Sequence, residues 1–135
     1  MDRRISKKTV HDFAVVVFDL NNLKEINDSK GHVTGDQYIK EACLIICNQF
    51  KHSPIYRIGG DEFVAVLEGQ DFENKEELLD DFNKKMDSNL KNGDISIASG
   101  CACFDPSIDN SSHSVLERAD EKMYQRKKQM KESDL

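Results

Sequence analysis

A chain of 135 residues is long enough for one domain with its own hydrophobic core, without metal or disulfide staples. Charged residues make up 33% and hydrophobic ones 38%, which excludes a disordered chain, and a formal charge of −6 argues against holding a nucleic acid polymer by general electrostatics. No apolar run approaches a membrane span and no signal-peptide layout opens the chain, so the expectation is a cytoplasmic domain without direct membrane contact.

Residues 1–12 are polar and basic and read as the fraying end of something longer. Phe13 to Phe18 is a continuous apolar, β-branched run, the mark of a strand buried on both faces. Asp19 follows where that strand emerges. It suits a site at the sheet's edge, and equally the cap of the next helical turn. Asn21 to Gly31 is a short polar helix or turn that Gly31 stops, and Thr34 or Gly35-Asp36 starts the next helix. That helix carries Ile39, Cys43, Ile46 and Phe50 as one apolar stripe, and Pro54 ends the connection.

Tyr56-Arg57-Ile58-Gly59-Gly60-Asp61-Glu62-Phe63 then joins two β-prone runs through a tight turn. The glycines permit backbone angles closed to other residues and let a phosphate approach without meeting a Cβ. With two acids at the tip, the turn suits a metal-bound polyphosphate; an ordinary Gly-Gly turn with solvated acids has the same composition. Asp71 to Leu90 forms a second amphipathic helix with Leu78 or Leu79, Phe82, Met86 and Leu90 inward. Asn92-Gly93-Asp94 is a turn, and an alternating strand runs from Ile95 through Cys101, Cys103 and Phe104 until Asp105-Pro106 breaks it. After a Ser-rich loop, Ser114-x-x-Glu117 has the form of a capping box and opens a last helix with Val115, Leu116, Ala119 and Met123 inward.

The order predicts an α+β fold, the ferredoxin-like βαββαβ plan with an extra C-terminal helix and a central antiparallel sheet. Its first strand is central and lies beside the hairpin, so Asp19 and the Asp61-Glu62 tip converge at one edge. Three acids from two strands offer the oxygen ligands that Mg²⁺ prefers, and a divalent ion relieves their mutual repulsion. Of the four cysteines, Cys43 and Cys47 could share a helix face with one metal, but their apolar stretch reads as buried free thiols; Cys101 and Cys103 fall on a strand.

Arg57-Ile58-Gly59-Gly60-Asp61-Glu62-Phe63 resembles the signature of GGDEF domains, the bacterial diguanylate cyclases, whose catalytic fold is a palm-type domain. Asp19-Leu20-Asn21-Asn22-Leu23-Lys24-Glu25-Ile26-Asn27-Asp28 is similar to a second family stretch, with Asn21 in place of its second Asp. His32 and Gly35-Asp36 match the segment after it, and Ala119-Asp120-x-x-Met123-Tyr124-x-x-Lys127 a third. The resemblance implies condensation of two GTP into cyclic di-GMP with Mg²⁺ (or Mn²⁺), by a homodimer that brings two bound GTP face to face. It implies metal ligands at Asp19, the Leu20 carbonyl, Asp61 and Glu62, with Asp61 also activating the attacking hydroxyl. Gly59 and Gly60 would lie against phosphates, Lys24 would stabilise the triphosphate, and Asn27 and Asp36 would read guanine. Lys127 and Lys131 would contact phosphate, or they are a solvated basic helix end. A non-catalytic GTP-binding regulatory module has the same likeness.

Three departures from the family pattern carry expectations. The family's opening segment and helix are missing or shortened, so residues 1–135 read as a single domain cut from a longer signalling protein, with a sensory domain elsewhere in a parent chain that could be membrane-anchored. Phe50-Lys51-His52-Ser53 stands where a product-binding Arg-x-x-Asp is common, which implies no allosteric product site there. Met130 replaces the glycine of the closing turn, which implies that the family's last strand is absent.

Overall fold

The computed structural model of the protein describes residues 12–133. The expectations for the N-terminal residues 1–11 lie outside them. The elements run β1 (Ala14–Leu20), α1 (Leu23–Lys30), α2 (His32–Gln49), β2 (Ile55–Arg57), β3 (Glu62–Leu67), α3 (Gly69–Glu73), α4 (Lys75–Asn92), β4 (Ile97–Cys103) and α5 (Ser112–Ser133). The sheet order is β2-β3-β1-β4 with every pairing antiparallel, the palm-like α+β arrangement that the sequence predicts. Among the described residues no helix is long and apolar enough to cross a membrane.

β1 is central because both of its faces are apolar, and alternation divides it between two layers. Phe18 projects to one face, where its ring meets Phe50 at the end of α2 and Phe82 of α4, with centroids 5.5–5.8 Å apart. The opposite face, with Val15, Val17 and Asp19, belongs to α5. α5 comes close because Gly100 of β4 has no side chain. A Cβ there would stand 2.1 Å from the Met123 nitrogen and 2.4 Å from the Ala119 carbonyl oxygen. Past β4 the helical layers meet, and the Arg126 guanidinium donates to Asp87 Oδ1 and to the Asn83 carbonyl of α4.

Several boundaries differ from the expected ones. α2 begins at His32 rather than Thr34, because Gly31 at φ 88° both closes α1, donating to the Asn27 carbonyl, and accepts from the Gly35 amide. The second amphipathic helix is broken at Asn74 into α3 and α4. The buried Asp71 carboxylate is occupied elsewhere, accepting from the His52 amide and the Ser53 hydroxyl, so it ties down the α2–β2 connection. The Ser114 capping box does not form. α5 starts at Ser112 with Ser111 Oγ accepting from the Ser114 amide, while the Ser114 hydroxyl donates to Asp109. Met130, where the family pattern has a glycine, continues α5 and is buried.

The cysteine expectation also needs correction. α2 buries Ala42 and Ile46, which turns Cys43 onto the shoulder of the helix and leaves Cys47 exposed. Replacing Gly100 with alanine tests the α5 contact. The obstructing atoms are backbone and cannot rotate away, so stability should fall by about 1–3 kcal/mol; an unchanged denaturation midpoint would contradict the close approach.

Candidate functional site

β1 and β3 run antiparallel with Asp19 directly opposite Glu62. Side chains at such paired positions leave the sheet on the same face, so the two carboxylates are neighbours by register. The Leu20 amide donates to the Asp61 carbonyl at 2.9 Å, which extends the ladder and fixes the hairpin loop beside the end of β1. The α5 layer supplies the counter-charge, with Lys127 Nζ 2.9 Å from Asp19 Oδ1. That oxygen is buried and has the ion pair but no well-aligned hydrogen bond.

Burial pushes the Asp19 carboxyl above the usual carboxylate range. Lys127 pulls it back and Asp61 pushes it up again. Glu62 is raised by burial first, then by the charges of Asp19, Asp120 and Asp61. Among the described residues no group of three or more His, Cys, Asp or Glu is drawn together tightly enough to hold an ion. Lys127 pairs directly with Asp19 and lowers both raised carboxyls.

Residues 58–61 close the hairpin, with the Ile58 amide donating to the Glu62 carbonyl. Neither Gly59 nor Gly60 has a positive φ, so the turn does not use the left-handed angles that glycine permits. Open space does matter: nothing stands within 4 Å of a Cβ built at Gly60. The Arg57 guanidinium donates to the Gly59 and Gly60 carbonyls and turns both toward β2.

A cleft of ≈ 200 Å³ opens between the start of α1 and the end of α5, and its lining includes Leu20, Lys24, Asp61, Lys127, Met130 and Lys131. Its loop is anchored from beneath. Asn22 takes the left-handed conformation at φ 65°, which asparagine tolerates. Asn21 is buried and donates to Ser96 Oγ and the Met130 sulfur, while its carbonyl accepts from the Tyr38 hydroxyl at 2.7 Å. Thus Asn21, at the position of the family's second Asp, points into the core rather than at the acids.

The structure brings Asp19, Leu20, Asp61, Glu62, Lys24, Lys127 and Lys131 to one end of the sheet. Gly59, Gly60 and Glu62 are not part of the cleft lining, nor are Asn27 and Asp36. Asn27 instead lies against Gly35, the neighbour of Asp36; a Cβ at Gly35 would fall 1.7 Å from Asn27 Oδ1. Sequence reading gave no role to Arg57, although it stands within the signature, or to Asp120, seven positions before Lys127 and therefore on the same side of a helix. It also missed Tyr38, which nothing local marks, and Ser96, whose only signal is a polar residue between Ile95 and Ile97.

Comparison with known proteins follows the same lines. The sequence model of the family described as diguanylate cyclase, GGDEF domain, matches residues 1–133. The cyclic di-GMP phosphodiesterase PdeR of Escherichia coli K12 is 27% identical over 92% of this chain. The diguanylate cyclase DgcS of Shewanella oneidensis is 42% identical over 42% of it. The chain spans 19% of the length of each of these relatives. Among solved structures, the GGDEF domain of DgcB from Caulobacter crescentus, in complex with c-di-GMP, aligns with a TM-score of 0.71 at 29% identity, covering 88% of this chain and 74% of that one.

The raised Glu62 carboxyl yields a pH prediction. A carboxyl whose folded value lies above its ordinary 4.5 adds stability below that pH and loses it as pH rises through the folded value. Glu62→Gln keeps the neutral form at every pH. Its melting temperature should exceed that of the unaltered protein at pH 7, with the gap closing toward pH 4; a gap that does not depend on pH would contradict the assignment.

Proposed function

The chain belongs to the GGDEF domain family, and on that premise we propose that it is the catalytic domain of a diguanylate cyclase, condensing two GTP to cyclic di-GMP and two pyrophosphates. The observation that carries the reading is Asp19 and Glu62 paired in register beside Asp61, with lysines at the adjoining cleft. Lys24, Lys127 and Lys131 hold the triphosphate and stabilise the charge that builds on it. Gly60 gives that triphosphate an unobstructed approach. Asp36 accepts from the guanine N1–H and 2-amino group and Asn27 serves the carbonyl edge, a pattern adenine does not match.

The donor set has the chemistry a divalent cation takes, although its carboxylates must draw closer together to hold one. It consists of oxygens, it includes a buried carboxylate oxygen without an aligned hydrogen bond, and its acids repel one another. Asp19, Asp61, Glu62 and the Leu20 carbonyl would hold Mg²⁺ (or Mn²⁺), which supplies Lewis acidity toward phosphoryl oxygens when bound. Asp61 accepts the proton of the 3′-hydroxyl. The freed oxygen bonds to the α-phosphorus of the second GTP, and the bond to the bridging oxygen breaks to release pyrophosphate. Two such transfers close the ring, so two domains must face each other, each with one GTP. Specific activity should therefore rise with protein concentration.

A second reading, a GTP-binding regulatory module without turnover, is favoured by the likeness to PdeR, a protein named for phosphodiesterase activity, over nearly the whole chain. Incubation with GTP and Mg²⁺ across a range of protein concentrations, beside a GTP-binding titration, separates the two. Cyclic di-GMP should form, and Asp61→Ala should lower its rate by about 10²–10⁴-fold. Binding without product at every concentration would establish the module instead.

Gly60→Ala isolates phosphate access from folding. Open space and an unstrained backbone should keep stability within about 0.5 kcal/mol, as for ordinary surface changes. A methyl group in the triphosphate's path should cost about 10²-fold in turnover. Full activity in this variant would place the phosphates elsewhere.

A further inference from the structure

The two thiols on α2 form a cluster that the nucleotide site does not use. Cys43 and Cys47 stand one helical turn apart, and their sulfurs are 4.0 Å from each other. Cys47 is exposed to solvent and Cys43 half-buried, and neither is in a disulfide. Separation decides what such a pair can do. A disulfide requires sulfurs at about 2.05 Å, so bonding the two directly would draw them together against a rigid helix. A tetrahedral ion with metal–sulfur bonds of about 2.3 Å holds two sulfurs about 3.8 Å apart. The observed spacing matches the second requirement almost without movement.

We propose that Cys43 and Cys47 form a two-thiolate chelating site for a thiophilic d¹⁰ cation of the zinc and cadmium class, separate from the acids of the nucleotide site. Both S–H groups lose their protons to solvent as two metal–sulfur bonds form, and water completes the coordination. Thiolates select such ions over Mg²⁺, which prefers oxygen, so the two sites discriminate by donor chemistry. Burial and the neighbouring Cys43 raise the Cys47 thiol. A cation bonded to both sulfurs removes the repulsion between two thiolates, which is the physical reason for chelation over independent deprotonation.

Cadmium titration of the reduced protein in excess Mg²⁺ tests this. The ultraviolet thiolate-to-metal absorption should saturate at one ion per chain, with an intensity of two thiolates. Cys43→Ser and Cys47→Ser should each remove the saturable band, with circular dichroism confirming the fold, whereas Cys101→Ser and Cys103→Ser should leave it intact. A band that survives in the Cys43→Ser/Cys47→Ser double variant, or no saturable band in the unaltered protein, would overturn the proposal. Excess Mg²⁺ occupies carboxylate sites and gives no such absorption, so the result is independent of whether the chain makes cyclic di-GMP.

Discussion

The register of β1 against β3 is the constraint from which the rest follows. Antiparallel pairing sets Asp19 opposite Glu62, and the next ladder bond draws in the Asp61 backbone. Burial raises both carboxyls first, and the charges of neighbouring acids raise them further. A slip of one residue in β1 would send Asp19 to the face held by Phe18, Phe50 and Phe82, away from Glu62 and into an apolar layer. The apolar alternation of the strands that builds the core therefore also fixes the acids. Core and site share one specification.

The surrounding devices make sense as responses to that repulsion. Lys127 brings a positive charge from the opposite layer. Arg57 occupies the two glycine carbonyls, so the loop presents its open side rather than its acceptor oxygens. Asn21, Ser96 and Tyr38 join the β1–α1 loop to β4 and α2 through buried hydrogen bonds, and such bonds hold a conformation well because leaving them unmade is costly.

Much of this was legible in the chain itself. The continuous apolar run of β1, the glycine pair followed by acids and the order of elements suffice for the sheet, the central strand and the convergence of Asp19 with Asp61 and Glu62. What escaped is physical in kind. Asp71 and Ser114 look like ordinary helix-start residues, but tertiary partners claim their side chains and move the caps. Local pattern cannot register a competing partner distant in sequence. Gly59 and Gly60 do not use the positive φ that glycine permits, while the clearance that the sequence also predicts is present at Gly60. Cys43 was read as buried because an apolar neighbourhood in sequence does not resolve which side of a helix a residue takes.

Gly100 has a reach well beyond its size. Because α5 rests on bare backbone there, the height of the helix above the sheet is set by the thickness of two main chains, with no pliable side chain between them. That separation is passed along a stiff rod from Met123 to Lys127, about one turn farther on, so the gap between ammonium and carboxylate is gauged at an uncharged residue outside the acid cluster. A lesion at such a spacer would disturb the ion pair without removing any charged group, and a survey of charged residues alone would overlook it.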